Sequence, residues 1–174
     1  MKKGILFWIT GLSGSGKTTL SKKIFPHIKK KYGPTILLDG DKCRKVMNLN
    51  GFTYKDRLSN AKIFIQLAKK ITDQNINVIF SLVCLMDKPR AWNKKNIKKY
   101  LEIYIKSEIK KIILKKKKRI YQQGKNLVGL SIKPEFPKKP DIIIKNDLNK
   151  NLDKLKQELL DKISDQIKNK NYKF

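Results

Sequence analysis

Apolar residues concentrate in five short runs, at residues 5–9, 35–38, 77–83, 101–105 and 141–144. Runs of this length without polar alternation suit strands covered on both faces, as in a parallel sheet. Between them the spacing changes to a helical period. Leu20, Ile24 and Ile28 recur at i, i+4 and i+8 and predict a helix over residues 18–31, which Pro26 should bend or restart. Thr53 followed three residues later by Asp56 has the form of a capping box. It predicts a helix whose buried face carries Ile63, Leu67 and Ile71. Leu152, Leu155, Leu159, Ile163 and Ile167 form one stripe of a C-terminal helix over about residues 149–168. Strands alternating with helices predict an α/β fold with a five-stranded parallel sheet, in a single domain spanning residues 1–174.

Residues 115–139 break the pattern. Four consecutive lysines, Gly124, Gly129, Pro134 and Pro137 occur here with little periodicity, and Pro140 follows. A connection of this length in a compact domain predicts either a disordered segment or a functional lid, and a lid over about residues 115–139 is the expectation.

Composition narrows the class. With 40% apolar residues in 174, the chain can bury its own core. No apolar run approaches the roughly 20 residues a bilayer requires, so neither a membrane span nor a secretory signal is expected. Cys43, Cys84 and the single His27 offer no zinc cluster or disulfide framework, so a reduced, cytoplasmic protein is expected. Both cysteines read as small buried fillers, Trp8 and Trp92 as core, and His27 as a surface or packing residue. The net charge is +28, yet only Arg44, Arg57, Arg90 and Arg119 are arginine. Arginine is the usual reader of bases and phosphates. A lysine excess fits the residue usage of an AT-rich genome better than a dedicated nucleic-acid surface, and no RRM, KH or helix-turn-helix signature is present. Specific nucleic-acid binding is therefore not expected.

Directly after the first strand stands Gly11-Leu-Ser-Gly-Ser-Gly16-Lys17-Thr18, a GxxxxGK[ST] sequence in its strand–loop–helix setting. Such a loop points successive N–H groups at phosphate oxygens, and the helix behind it adds its positive end. This predicts a P-loop NTPase-type fold that binds ATP through Gly11, Ser13, Gly14, Ser15, Gly16, Lys17, Thr18 and Thr19. Lys17 is expected to reach the β- and γ-phosphates and the Thr18 hydroxyl to hold Mg²⁺. The second strand ends in Leu38-Asp39-Gly40-Asp41, which sets two carboxylates beside the phosphate site. A carboxylate there can order the water on Mg²⁺ or take a proton from an attacking hydroxyl, and Arg44 offers a fork for an anionic substrate group.

Residues 11–17, Leu37-Leu-Asp-Gly-Asp41 with Arg44, and Gly51-Phe52 followed by Asp56, Arg57 and Asn60 resemble adenylylsulfate (APS) kinase in order and spacing, over about residues 4–147. That resemblance implies transfer of the γ-phosphoryl group of ATP to the ribose 3′-hydroxyl of a small-molecule nucleotide. It implies Asp41 at the acceptor hydroxyl, catalytic together with Lys17, and Arg44, Arg57 and Asn60 on the acceptor's anionic part. Phe52 would stack on the base, and Asp39, Lys118 and Leu127 complete the expected acceptor side.

The departures fall on that same side. The family's Ile-Ser-Pro-Tyr is here Val83-Cys-Leu-Met86, and its Phe-Thr-Gly-Ile-Asp is Leu127-Val-Gly-Leu-Ser131, so Leu127 replaces an aromatic and Ser131 an acid. The run before the lid keeps Lys118 and Tyr121 without the family's arginine. Adenylyl sulfate, the sulfate-assimilation substrate, is the first acceptor expected. The alternative is a nucleotide such as cytidine diphosphoramidate, which a family relative phosphorylates in capsule synthesis and which suits the missing aromatic. Readings of other classes are a basic P-loop nucleotide switch, a nucleic-acid-binding protein, or a nucleoside monophosphate kinase, whose lids typically carry more arginines than Arg119 alone. Family members commonly pair, so part of the last helix is available in principle as a homodimer face.

Overall fold

In the computed structural model, which describes residues 3–116, 126–149 and 151–172, the five apolar runs become β1 (Leu6–Thr10), β2 (Thr35–Asp39), β3 (Asn77–Leu82), β4 (Tyr100–Lys106) and β5 (Ile142–Lys145). They pair in the order β2-β3-β1-β4-β5, every pairing parallel. The helices between them are α1 (Lys17–Tyr32), α2 (Gly40–Val46), α3 (Tyr54–Asp73), α4 (Asp87–Asn96), α5 (Ile109–Lys116) and α6 (Leu152–Asn169).

Alternation along β1 divides its side chains between two helical layers. Ile5, Phe7 and Ile9 meet α1 and α6 on one face. Leu6 and Trp8 meet Ala61, Phe64, Ile65 and Ala68 of α3 on the other. All five residues of β1 are buried, which is why the strand is apolar throughout. The stripe Leu155, Leu159, Ile163 and Ile167 packs into the first of these clusters and covers the sheet.

Four expectations are corrected or narrowed. Helix α1 does not restart at Pro26 and runs through it as one element. The proline sits on the exposed side, and burial of Leu20, Ile24 and Ile28 offsets the hydrogen bond it cannot donate. The buried face of α3 is rotated from Ile63, Leu67 and Ile71: Ile63 is 40% exposed, Ile71 packs at the edge of the cluster, and Ala61, Phe64, Ile65 and Ala68 point inward. The cause is aromatic packing, since the Phe64 and Trp8 rings both lie on Phe80, at 5.3 and 5.5 Å between centroids. Trp92 is not core, because α4 turns Pro89, Arg90 and Asn93 inward and leaves the indole on its outer side. Cys43 is only half-buried, whereas Cys84 is buried and His27 is exposed. The Thr53 and Asp56 capping box forms in both directions. Among the described residues no helix is long and apolar enough to cross a membrane.

Candidate active site

The turn from β1 into α1 is shaped by close approach. Gly11 and Gly16 both take positive φ. A Cβ on Gly11 would lie 2.5 Å from the Ile105 carbonyl oxygen, and one on Gly16 would lie 2.7 Å from Asn146 Nδ2. Gly16 caps α1 without a side chain, so the amides of the first turn remain available to an anion. The Lys17 ammonium folds back over the loop and donates to the Leu12 carbonyl at 2.7 Å.

Beside it, Thr18 Oγ1 donates to Asp39 Oδ2 at 2.7 Å, and Ser81 Oγ donates to the same oxygen at 3.3 Å. The other Asp39 oxygen accepts the backbone N–H groups of Asp41 and Lys42 and so caps α2. Asp39, expected beside the phosphate site and grouped with the acceptor residues, borders the cavity over the P-loop. Its double role as helix cap and Thr18 partner holds it there.

Two cavities meet at this point. The first, of about 140 Å³, lies over Ser13, Gly14, Gly16, Lys17, Thr18 and Thr19. Gly11 and Ser15, expected to bind ATP, are buried behind the loop and shape it from within. The second, of about 90 Å³, is lined by Arg44, Phe52, Arg57, Asn60, Cys84 and Leu127. Ser13 and Asp41 border both. The structure thus brings together every expected acceptor residue except Asp39 and Lys118; Lys118, Arg119 and Tyr121 lie outside the described residues.

The electrostatics of the second cavity favour an anion. Burial lowers the pKa of Arg44, and burial followed by the charge of Arg44 lowers that of Arg57. The Arg44 guanidinium stacks 4.2 Å from the Phe52 ring centre and donates to the Gly51 carbonyl. Arg57 donates to the Phe52 carbonyl at 3.0 Å and to the Asn126 carbonyl at 3.1 Å, joining the start of α3 to the far side of the cleft. Asn60 is 7% exposed, and its Nδ2 has no hydrogen-bond partner among the described residues.

The opposite wall is aliphatic. Leu127 and Val128 are buried with Leu12 and Leu85. Ser131 Oγ accepts the Leu127 N–H at 2.7 Å and closes the turn, so this hydroxyl serves the backbone. A Cβ on Gly129 would lie 2.9 Å from Leu12 Cδ2, so this turn rests directly on the P-loop. Burial pushes the Cys84 thiol up to about 12, leaving a neutral apolar filler where the family carries a hydroxyl.

Asn146 escaped the sequence reading. It follows β5 and donates through Nδ2 to the Ser15 carbonyl at 2.9 Å, clamping the P-loop from a strand end two places along the sheet from β1. A polar residue directly after the fifth apolar run was the available signal, since parallel strands deliver their C-terminal ends to one edge. Arg90 was also missed. Only 5% exposed, it ion-pairs with Glu102 at 2.9 Å and also with Asp87, and donates to the Cys84 carbonyl at 3.4 Å, supporting the 83–86 loop from beneath.

The adenylylsulphate kinase family model matches residues 3–145. A cytidine diphosphoramidate kinase of Campylobacter jejuni is 30% identical over 164 residues, covering 91% of this chain and 96% of its own length. An adenylyl-sulfate kinase of Clostridium kluyveri is 31% identical, with 85% and 78% covered. The solved structure of the Mycobacterium tuberculosis APS kinase in complex with AMPPNP and APS shares the fold at a TM-score of 0.83, covering 94% of this chain and 99% of that one at 22% identity. With a P-loop at the strand edge and an anion-seeking cleft beside it, this chain belongs to the adenylylsulphate kinase family and is an ATP-using kinase acting on a nucleotide hydroxyl.

Proposed function

We propose that the chain transfers the γ-phosphoryl group of ATP to the ribose 3′-hydroxyl of a pyrimidine nucleotide of the cytidine diphosphoramidate class. The observation that carries this reading is the shape of the acceptor cleft: one aromatic wall, Phe52, faces an aliphatic wall of Leu127 and Val128 across about 90 Å³. A second aromatic face would be worth about 1–3 kcal/mol to a stacked base, and a large purine loses most by its absence. The named activity of the Campylobacter jejuni relative points the same way. Adenylyl sulfate is the second reading, favoured by the family match and by the arginine pair, which would grip a phosphosulfate as readily as a diphosphoramidate.

On this reading ATP lies on the P-loop with its nucleoside toward the groove of about 930 Å³ between Phe136 and Asn146. Asp41, bordering both cavities, accepts the proton of the attacking hydroxyl, while Lys17 and the first amides of α1 offset charge on the transferring group. Arg44 and Arg57 hold the acceptor's anionic part. The Thr18 hydroxyl and the Asp39 carboxylate, 2.7 Å apart beside the phosphate cavity, form the hard-oxygen pair that fits Mg²⁺ and its waters. Bound there, the ion would supply neutralisation of phosphate charge.

The test is steady-state turnover with MgATP against adenylyl sulfate and cytidine diphosphoramidate, detecting 3′-phosphorylated product. A kcat/KM at least about tenfold higher for the cytidine nucleotide is expected. Preference for adenylyl sulfate reverses the assignment. Undiminished turnover by Lys17→Ala would remove the P-loop from the mechanism.

A further inference from the structure

The two walls of the acceptor cleft belong to segments far apart in sequence. One is the 51–54 loop with the start of α3; the other is the 83–86 loop together with residues 127–128. Arg57 crosses between them through the Asn126 carbonyl, and among the described residues Glu135 touches both sides as well. The Glu135 backbone N–H donates to the Leu85 carbonyl at 2.9 Å, tying the chain that returns from residues 126–132 to the 83–86 loop. Its carboxylate divides. Oε1 accepts from the Tyr54 hydroxyl at 3.1 Å, and Oε2 accepts the backbone N–H of Asp87.

Both partners are informative. Tyr54 is the first residue of α3 and lies two positions from Phe52. Asp87 is the first residue of α4, whose N-cap Met86 makes no side-chain bond to the helix. A helix start lacking its own cap leaves donors that a carboxylate from elsewhere can satisfy, with the helix dipole in its favour. Glu135 therefore acts as a tertiary cap on α4 while holding the start of α3 with its other oxygen.

We propose that Glu135 is a positioning residue that sets the width of the acceptor cleft by joining the Phe52 wall to the Cys84 and Leu127 wall. It lines neither of the two cavities. Its action on the acceptor passes through Tyr54 on one side and through Leu85 and Asp87 on the other, and it leaves the P-loop alone. This inference rests on the acceptor reading of the cleft given above.

The test compares Glu135→Gln, Tyr54→Phe and the double variant with the parent, using MgATP and each of the two acceptor nucleotides, with melting temperatures recorded alongside. Glutamine keeps the size of the side chain but presents one acceptor oxygen, its amide nitrogen facing a donor. The expected result is a rise in acceptor KM of about tenfold for Glu135→Gln, with KM for ATP moving less than about twofold. Tyr54→Phe should give a smaller rise of the same kind, and the double variant less than the product of the two. A purely structural role would lower the melting temperature and move both KM values together; that result overturns the proposal, as does full independence of the two substitutions. Asn60→Ala, assayed in parallel, separates the two levels. If it raises acceptor KM while Glu135→Gln does not, the joining role alone fails. If neither variant moves acceptor KM, the acceptor reading of the cleft fails as well.

Discussion

The Asn60→Leu substitution should make the protein more stable and less active. Asn60 is 7% exposed, and its Nδ2 has no hydrogen-bond partner among the described residues. An amide buried without a partner costs about 1–3 kcal/mol, and its persistence beside the cavity lined by Arg44 and Phe52 is accounted for if the proposed substrate supplies the missing acceptor. Leucine has nearly the same size and carries no donor, so it removes the penalty and adds apolar contact with Ala61 and Phe64 of the same cavity wall. A net gain of about 1 kcal/mol raises the melting temperature of a chain this size by roughly 2–4 °C. Loss of a hydrogen bond to an anionic acceptor costs about 1.5–3 kcal/mol in the transition state, or roughly 10–150-fold in kcat/KM. Thermal unfolding and steady-state kinetics with the preferred acceptor read the two effects separately. An unchanged acceptor kcat/KM refutes the reasoning, because the amide would then have no partner in the substrate.

Leu127→Phe restores a second aromatic wall and should shift preference toward adenylyl sulfate by roughly 5–150-fold in the ratio of kcat/KM values, checked by the two-acceptor assay. Gly16→Ala places a Cβ at positive φ, 2.7 Å from Asn146 Nδ2; strain of about 1–2 kcal/mol together with the displaced clamp on Ser15 should weaken ATP binding about tenfold or more by titration calorimetry. Burial, opposed by Arg90, raises the Glu102 carboxyl from 4.5 to about 7. The folded chain therefore holds this proton more tightly than the unfolded chain, so the contribution of Glu102 to stability is full below about pH 4.5 and declines as pH rises to about 7. Glu102→Gln should lack that decline, and the melting temperature of the parent minus that of the variant should fall across this window.

Much of the molecule was legible because its signals are local. β1 and β3 are buried on both faces and so are apolar nearly throughout, and further apolar runs marked the strands that flank them. Thr53 and Asp56 needed only a spacing of three residues to announce the start of α3, and the P-loop lies within eight consecutive residues. Where expectation failed, the deciding contact was remote. The rotation of α3 was set by Phe80 on another element, and the exposure of Trp92 by which side of α4 found Arg90 a partner in Glu102.

The amino-acid order alone determined the strand and helix sequence and the P-loop, since these depend on periodicity and on groups a few positions apart. Tertiary structure decided how those groups divide the work. Asp39 and Asp41 are two residues apart, yet one is drawn to Thr18 and Ser81 while the other borders both cavities. Asn146 reaches Ser15 across 131 positions, and Glu135 meets Tyr54 across 81. Contacts of that span come into being only when the parallel sheet brings its strand ends to one edge, and no local pattern in the chain encodes them.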